Sequence, residues 1–345
     1  MFIETVRIFF TSNRFFPDVG GIETHSLILA GFFQQAGHDV ILSTQSLASP
    51  ESPGTAFDFT VVRRPCLKKL LRLHQWADLI FQNNIESRTL WPAFFHRKPV
   101  IVTIQTWIRS SSGKIRWIDR LKKRMLYRAD RVVAISESVR KTTFTAATVI
   151  PNAYDDTTFK IHNGVARERD FIFVGRLVSD KGVDLLLRAF SGLPGDRRHT
   201  LTVAGTGPEE ARLRAMAERL GIRERVDFAG PVCGEALASL LNAHRIAVVP
   251  STWEEPFGIV ALEAAACGCV LLGSDAGGLP EAVGPAGCLF RRGDVEDLKN
   301  QLLKLIHDDS LQEWFRAGAR SHLEKHQAAV LSKKYLELIE EISTQ

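Results

Sequence analysis

Two glutamates in the segment PSTWEEPFGIVALEAAACG are spaced to bind hydroxyl groups at two places on one long ligand. Pro256 fits the first position of a helix, which predicts a helix that starts there and carries Glu263. Glu255 and Glu263 would then lie about 12 Å apart along that helix. Glycosidase carboxylates are only about 5 to 9.5 Å apart, so this pair is not an acid and base for hydrolysis. A carboxylate among Ala, Leu, Val and Cys is costly without a partner, which favours a binding role for Glu263.

Two cations follow the predicted strand FIFVG. Arg176 comes directly after the strand, and Lys181 precedes Gly182, where the next predicted helix opens. Cations beside a helix N-terminus suit a diphosphate. The alternative, an exposed surface arginine and lysine, stays open.

Two glycine pairs also precede predicted helices. Gly20 and Gly21 would let backbone amides approach a phosphate, although for this pair alone a plain strand-to-helix turn without a ligand is the favoured explanation. Gly277 and Gly278 in AGGLPEAV either close the same pocket or form a bare turn. The chain has no GxxxxGK[ST] motif, which excludes a P-loop nucleotidase.

Strand-like apolar runs alternate with helical patterns in two series, which predicts two doubly wound α/β domains with parallel sheets. The first series covers residues 6–11, 39–44, 59–63, 77–82, 100–104 and 131–136, and the second covers 171–175, 200–205, 225–230, 246–250, 269–274 and 287–290. The predicted domains are 1–155 and 171–325, with a linker at 156–170 and a C-terminal helix at 326–345. Ligands of such sheets bind at the carboxyl ends of the strands.

Composition narrows the class of protein. The 345 residues are 45% hydrophobic and 24% charged, with a net charge of +5, which is typical of a globular protein. No run of about 20 apolar residues predicts a membrane span, and the N-terminus does not resemble a signal peptide. The five cysteines form no CxxC pair and predict neither disulfides nor a metal site. These features predict a cytoplasmic protein.

The chain resembles the retaining, nucleotide-sugar-dependent glycosyltransferases of family 4 (glycosyl transferases group 1). The resemblance covers nearly the whole length and rests on six segments in order: PDVGGIETHSLILAGFFQQAGHDV, VGRLVSDKGVDLLL, VAGTGPEEARL, RVDFAG, PSTWEEPFGIVALEAAACG and AGGLPEAV. It implies the GT-B architecture, in which two Rossmann-like domains face each other across a cleft. It also implies that the C-terminal helix crosses back to the first domain.

The resemblance further implies how the donor diphosphate is bound. Arg176 and Lys181 would clamp it and neutralise the departing nucleotide, so both are candidate catalytic residues, as is Glu255. Gly20 and Gly21 would approach it from the other domain. Because fixed cations stabilise the leaving group, neither a metal nor a cofactor is expected, and the nucleotide-diphosphate sugar is a co-substrate.

The resemblance assigns Glu263 to the ribose, and Glu255 with the amides of Phe257 and Gly258 to the transferred hexose. Retention would come from same-face attack, with a diphosphate oxygen helping to deprotonate the acceptor; a covalent intermediate on Glu255 is the less favoured alternative. Many relatives carry a histidine after the strand VIVTI, where this chain has Gln105. A neutral amide can orient a sugar but cannot take a proton.

That departure leaves two functions open: a hexosyltransferase, or a sugar-nucleotide-binding regulatory subunit without turnover. An epimerase would need an acid/base set that the sequence lacks. Asn83 and Asn84, at the end of another predicted strand, are candidates for the acceptor side.

The basic charge lies in the first half, where residues 1–160 carry +9 and the remainder carries −4. Ile115, Ile118, Leu121 and Met125 form a helical stripe beside Lys122, Lys123 and Arg124. Such a helix suits an anionic membrane surface, here the inner face of the cell membrane, or a lipid-linked or anionic glycan acceptor, as in cell-envelope polysaccharide or lipopolysaccharide synthesis. The alternative is a stripe that docks on its own sheet. No recognition motif for nucleic acid accompanies the charge.

Overall fold

The computed structural model describes residues 5–18, 20–48, 57–108, 116–194 and 199–343. The chain divides into two compact units, Met1–Ala153 with Ala328–Gln345, and Tyr154–Gln327. Within these described ranges, each unit has one parallel sheet.

The described residues of the first unit form a seven-stranded parallel sheet in the order β3-β2-β1-β4-β5-β6-β7. Its strands are β1 (Arg7–Ser12), β2 (Asp39–Thr44), β3 (Thr60–Arg63), β4 (Leu79–Asn83), β5 (Val100–Ile104), β6 (Arg131–Ala134) and β7 (Thr148–Val149). Its helices are α1 (Gly21–Gln35), α2 (Leu67–Trp76), α3 (Ser87–Leu90), α4 (Ala93–His96), α5 (Trp117–Leu126), α6 (Glu137–Thr143) and α14 (Ala328–Ser343). Every residue of β4 and β5 is buried, as expected for strands covered on both faces.

The described residues of the second unit form a six-stranded parallel sheet in the order β10-β9-β8-β11-β12-β13. The strands are β8 (Arg169–Val174), β9 (Leu201–Ala204), β10 (Val226–Gly230), β11 (His244–Val249), β12 (Val270–Ser274) and β13 (Gly287–Phe290). The helices are α7 (Val183–Ser191), α8 (Glu210–Arg219), α9 (Gly234–Asn242), α10 (Ile259–Ala266), α11 (Leu279–Val283), α12 (Val295–His307) and α13 (Asp309–Glu324). The predicted class, two doubly wound α/β units, is confirmed.

Each sheet has a point where the strand order reverses, between β1 and β4 in the first unit and between β8 and β11 in the second. In doubly wound sheets a crevice opens at the carboxyl ends of these two strands. Arg176 and Lys181 follow β8, and Glu255 follows β11. The topology therefore brings the predicted diphosphate and sugar residues of the second unit to one sheet edge.

The C-terminal helix α14 belongs to the first unit and packs against α1. The Tyr335 ring is fully buried, with its centroid 5.8 Å from the His25 ring and 5.7 Å from the Phe81 ring. These aromatic contacts extend the apolar core of the first sheet onto the last helix of the chain.

The segment predicted as a linker, 156–170, differs in the structure because it belongs to the second unit. The Asn242 amide donates to Lys160 O at 2.9 Å and accepts from the His162 amide at 2.8 Å. Arg167 donates to the carbonyls of His244 and Cys267. These long-range hydrogen bonds hold a segment without helical or strand periodicity, and β8 already begins at Arg169.

Among the described residues, no helix combines the length and apolar character that crossing a membrane requires. These residues also hold no group of three or more His, Cys, Asp or Glu side chains placed to bind a metal. Cys267 and Cys269 are buried, and burial raises the pKa of each thiol to about 12.

Candidate active site

Two loops at the carboxyl edge of the second sheet interlock through their backbones. The amides of Thr252 and Trp253, after β11, both donate to Asp180 O, after β8, at 3.0 and 3.2 Å. Gly182 adopts a φ of +68°, and a Cβ there would lie 2.0 Å from Pro250 O. Only glycine fits this position, so the loop that carries Lys181 is fixed against the loop that carries Glu255.

The loop after β12 packs on the backbone of Glu255. The Gly278 amide donates to Glu255 O at 2.7 Å. Gly277 has a φ of +67°, and a Cβ there would lie 2.2 Å from the same oxygen. The second glycine pair, which the sequence left open as a bare turn, therefore positions Glu255 directly.

Lys181, Glu255 and Ser251 form one hydrogen-bonded cluster. Lys181 Nζ donates to Glu255 Oε1 at 2.5 Å, and Ser251 Oγ donates to the same oxygen at 2.6 Å. Ser251 and Glu255 are buried. The sequence assigned Lys181 and Glu255 to different parts of a donor, whereas the structure pairs them. Glu255 Oε2 receives no hydrogen bond from the residues that the structure describes.

Arg176 has a fixed backbone and a free side chain. The Gly175 amide donates to Ala204 O at 3.0 Å, and the Leu177 amide donates to Thr206 O at 2.8 Å. The Arg176 side chain is exposed and forms no ion pair with any described residue. A cation so placed is available to an anionic ligand.

The predicted start of the Glu263 helix is wrong. Helix α10 begins at Ile259, because Gly258 is its N-cap with a φ of +111°, and Pro256 lies outside it. Glu255 forms a parallel bridge with Gly277 instead of a helical turn, so the distance of about 12 Å along a shared axis does not apply. Phe257 contributes a buried ring stacked on His326, with 5.8 Å between centroids.

Glu263 lies on α10, and no described residue hydrogen-bonds its carboxylate. Burial raises the pKa of Glu263 to about 7, and the nearby Asp155 carboxylate adds to the rise. The flanking residues of the helix, Leu262 and Ala264, are fully buried. Glu263 itself is half-buried, and an added hydroxyl donor would stabilise its charged form.

Gly20, Gly21 and Gln105 lie in the first unit. Helix α1 begins at Gly21, and Gly20 is its N-cap in extended conformation. Gln105 is buried; its Oε1 accepts from Asn152 Nδ2 at 2.9 Å, and its Nε2 donates to Thr103 Oγ1 at 3.4 Å. Their contribution to a donor site stays a prediction.

The sequence missed a buried hydrogen-bonded network at the carboxyl edge of the first sheet. Asn83 Nδ2 donates to Ser26 Oγ at 2.7 Å, and Asn83 Oδ1 accepts from Thr103 Oγ1 at 2.7 Å. Ser26 Oγ in turn donates to Ser12 Oγ at 2.8 Å. Asn83 is fully buried, so its predicted place on the acceptor surface is wrong. It ties α1 to β4 and β5 instead.

The basic helix α5 docks on its unit by only part of its apolar stripe. Met125 is buried and Ile118 is half-buried, whereas Leu121 is exposed. Ile115 lies outside the described residues. Of the three cations, Lys122 and Lys123 are half-buried and Arg124 is exposed. The helix therefore docks on its unit through Met125 and partly through Ile118, and contact of its exposed residues with a membrane or an acceptor stays a prediction.

Comparison with known sequences identifies the family. Residues 155–322 match Glycosyl transferases group 1, and residues 19–158 match Glycosyltransferase Family 4. A D-inositol 3-phosphate glycosyltransferase of Corynebacterium jeikeium is 39% identical over 48% of this chain and 43% of its own. The gpi3 subunit of phosphatidylinositol N-acetylglucosaminyltransferase of Schizosaccharomyces pombe is 26% identical over 86% of this chain and 72% of its own. The chain thus spans less than half of the first relative.

Solved structures share the fold. Anabaena HepE in complex with UDP and glucose has a TM-score of 0.82 at 21% identity, covering 97% of this chain and 99% of that chain. Sucrose-phosphate synthase from Thermosynechococcus elongatus has a TM-score of 0.80 at 21% identity, covering 98% and 99%. These likenesses confirm two Rossmann-like units of the GT-B class. Since the two family matches run in succession along residues 19–322, the chain belongs to the family 4 glycosyltransferases, the glycosyl transferases group 1.

Proposed function

We propose that this protein transfers a hexose, with retained configuration, from a nucleotide-diphosphate sugar to a hydroxyl of a glycan or lipid-linked acceptor. The observation that carries the proposal is the Lys181–Glu255–Ser251 cluster at the reversal point of the second sheet, where the exposed Arg176 also follows β8. HepE of the same fold is known in complex with UDP-glucose, which supports a nucleotide-sugar donor here.

Arg176 and Lys181 are the groups that stabilise the leaving diphosphate. Negative charge develops on the departing nucleotide, and fixed cations offset it without reorganisation. Lys181 already neutralises Glu255, so on donor binding its ammonium would be shared between that carboxylate and a phosphate oxygen. Gly20 and Gly21 would add backbone amides from the first unit. Because the charge is met by side chains, transfer should need no metal.

Glu255 holds the transferred hexose through Oε2, with the Phe257 and Gly258 amides nearby in the chain, and Glu263 accepts the ribose hydroxyls. Retention follows from same-face attack assisted by a diphosphate oxygen. Glu255 Oε1 accepts from both Lys181 and Ser251, which lowers its nucleophilicity and disfavours a glycosyl intermediate on it. Gln105 would orient the sugar or the acceptor through its amide.

The acceptor side belongs to the first unit in this proposal. Lys122, Lys123 and Arg124 lie on α5, in a unit whose sequence is strongly basic, which favours an anionic membrane surface or a phosphate-bearing acceptor. A role in cell-envelope polysaccharide or lipopolysaccharide synthesis would use such an acceptor.

Nucleotide release from UDP-, GDP- and ADP-hexoses, with lipid-phosphate or glycan acceptors supplied, tests the proposal. We expect release from one donor, much slower release by the matched variant Arg176→Ala, and NMR of the product to report the anomeric configuration. No release from any donor and acceptor pair, or an inverted product, would contradict it.

A second candidate is a binding subunit without turnover, which Gln105 favours because Asn152 and Thr103 already occupy its amide. Calorimetry distinguishes a transferase from a binding subunit. A donor that binds but stays intact with every acceptor supports the binding subunit, whereas consumption of the donor excludes the binding subunit.

A further inference from the structure

A groove in the first unit lies between α3 and α5, outside the residues assigned to the donor. Its volume is about 550 Å³, within the range of small-molecule sites. Its apolar lining comes from Trp91, Leu121 and Met125, and its charged lining comes from Arg88, Arg124 and Arg128. No carboxylate lines it among the described residues.

Buried side chains of the first unit hold α3, one wall of the groove, by hydrogen bonds. Gln82 Nε2 donates to Thr89 Oγ1 at 2.9 Å, and His74 Nε2 lies 2.9 Å from Thr89 O. Thr89 and its neighbour Leu90 are buried. With that face held in the core, Arg88 and Trp91 are left on the outer side of the helix, where both are exposed.

The α5 wall is one face of a longer helix. Leu121 and Arg124 are three residues apart and share a face of α5, and Arg128 follows in the turn after the helix. Trp117, four residues before Leu121, continues this face and is 75% exposed. Exposed Trp and Leu beside arginines on one helix face are typical of contact with an amphiphile.

The charge of the groove specifies the occupant. Arg88 and Arg124 form no ion pair with any described residue. The Glu86 carboxylate interacts electrostatically with Arg88 but forms no hydrogen bond with it among the described residues, so both guanidinium groups can donate to a phosphate. The apolar floor offers nothing to a hydrophilic anion and suits a hydrocarbon chain. We propose that this groove binds one phosphate-bearing lipid, with its chain on Trp91, Leu121 and Met125 and its phosphate between Arg88 and Arg124.

This lipid would be the acceptor of the transferase. That assignment rests on the proposed function, whereas binding of the lipid in the groove does not depend on it. The proposal also separates Arg124, which lines the groove, from Lys123, which lies on the same helix but does not line it.

Calorimetry with alkyl phosphates below their micelle concentration, in the absence of donor, tests the groove. We expect decyl phosphate to bind with 1:1 stoichiometry, and affinity to rise up to about fourfold per methylene from butyl to decyl phosphate. Leu121→Glu, at an exposed position, should weaken binding at least tenfold, and so should Arg124→Ser. Lys123→Ser is the matched control and should bind as the wild type does.

Absence of decyl phosphate binding, equal binding by Leu121→Glu and the wild type, or inorganic phosphate binding as tightly as decyl phosphate would each overturn the proposal. Circular dichroism of both variants confirms that they fold. Titration of a nucleotide sugar into the same preparations reports on the donor site separately, so a failure of the groove and a failure of the transferase proposal are distinguishable.

Discussion

Replacing Glu263 by glutamine should remove a large pH dependence from the stability of the protein. Burial raises the pKa of this carboxyl from 4.5 to about 7 in the folded chain. Between these two values the folded state binds more protons than the unfolded state, so the free energy of unfolding falls as pH rises. From pH 5.5 to pH 8 the fall amounts to about 2 kcal/mol.

The Glu263→Gln variant lacks this ionisation. Urea unfolding at pH 5.5 and pH 8 gives the free energy of unfolding of the wild type and of the variant. The effect is the change, between the two pH values, in the difference between these free energies. Between pH 5.5 and pH 8 we expect the free energy of unfolding of the variant to increase by about 2 kcal/mol relative to that of the wild type. Glu218→Gln, at an exposed position of α8, is the matched control and should follow the wild type at both pH values.

If the free energy of unfolding changes with pH by the same amount in the wild type and in Glu263→Gln, the reasoning is refuted, because the Glu263 carboxyl would then already be ionised at pH 5.5. The same carboxylate should bind ribose hydroxyls better once charged. Donor affinity of the wild type should therefore rise from pH 6 to pH 8, and that of Glu263→Gln should be weak and flat.

Three other substitutions test the interlocked loops. Ser251→Ala removes one hydrogen bond to Glu255 and should weaken nucleotide-sugar binding about fivefold by calorimetry while leaving nucleoside-diphosphate binding unchanged; Ser251→Thr should restore it. In urea titrations Gly277→Ala should lower the free energy of unfolding by about 1 to 3 kcal/mol more than Gly221→Ala does. Both glycines have a φ of +67°, but a Cβ at Gly277 would meet a backbone oxygen and a Cβ at Gly221 would meet no atom within 4 Å. Equal losses of stability in the two variants would contradict this account. Arg176→Ala should reduce the rate of nucleotide release about a hundredfold without changing the melting temperature, and a rate close to that of the wild type would remove Arg176 from the diphosphate site.

The sequence predicted six of the seven strands described in the first sheet, all six described in the second, and the sheet edge where the candidate site lies; it missed the two-residue strand β7. Continuous apolar runs mark strands that are buried on both faces, and the residue after each run must lie at the carboxyl edge. Arg176 was found by that rule and Lys181 by its place before the glycine that opens the next helix, and the structure places both after β8.

The local path around Glu255 could not be predicted in this way. Pro256 is compatible with a helix start, but contacts distant in sequence decide otherwise. Gly277 and Gly278 draw the backbone of Glu255 alongside a different loop, and Gly258 takes a left-handed conformation that delays the helix. The hydrogen bond from Ser251 to Glu255 depends on this local backbone path, so the pattern PSTWEE did not predict it.

Buried polar residues at the edge of the first sheet were misjudged for a related reason. Asn83 at a strand end looks like a ligand-binding residue when the neighbouring strands are not known. In the sheet, Asn83 pairs in register with Ser12 and with Thr103, so polar side chains from three strands meet and satisfy one another. Which strands become neighbours is a property of the topology and is not visible in any one segment.

Calorimetric titration of UDP-, GDP- and ADP-hexoses into the wild type, Arg176→Ala and Glu263→Ala tests most directly whether the carboxyl edge of the second sheet is a nucleotide-sugar site. We predict that one donor binds the wild type at 1:1 stoichiometry and binds each variant about tenfold to a hundredfold more weakly. If no donor binds, or if both variants bind the donor as tightly as the wild type, these side chains do not form the donor site.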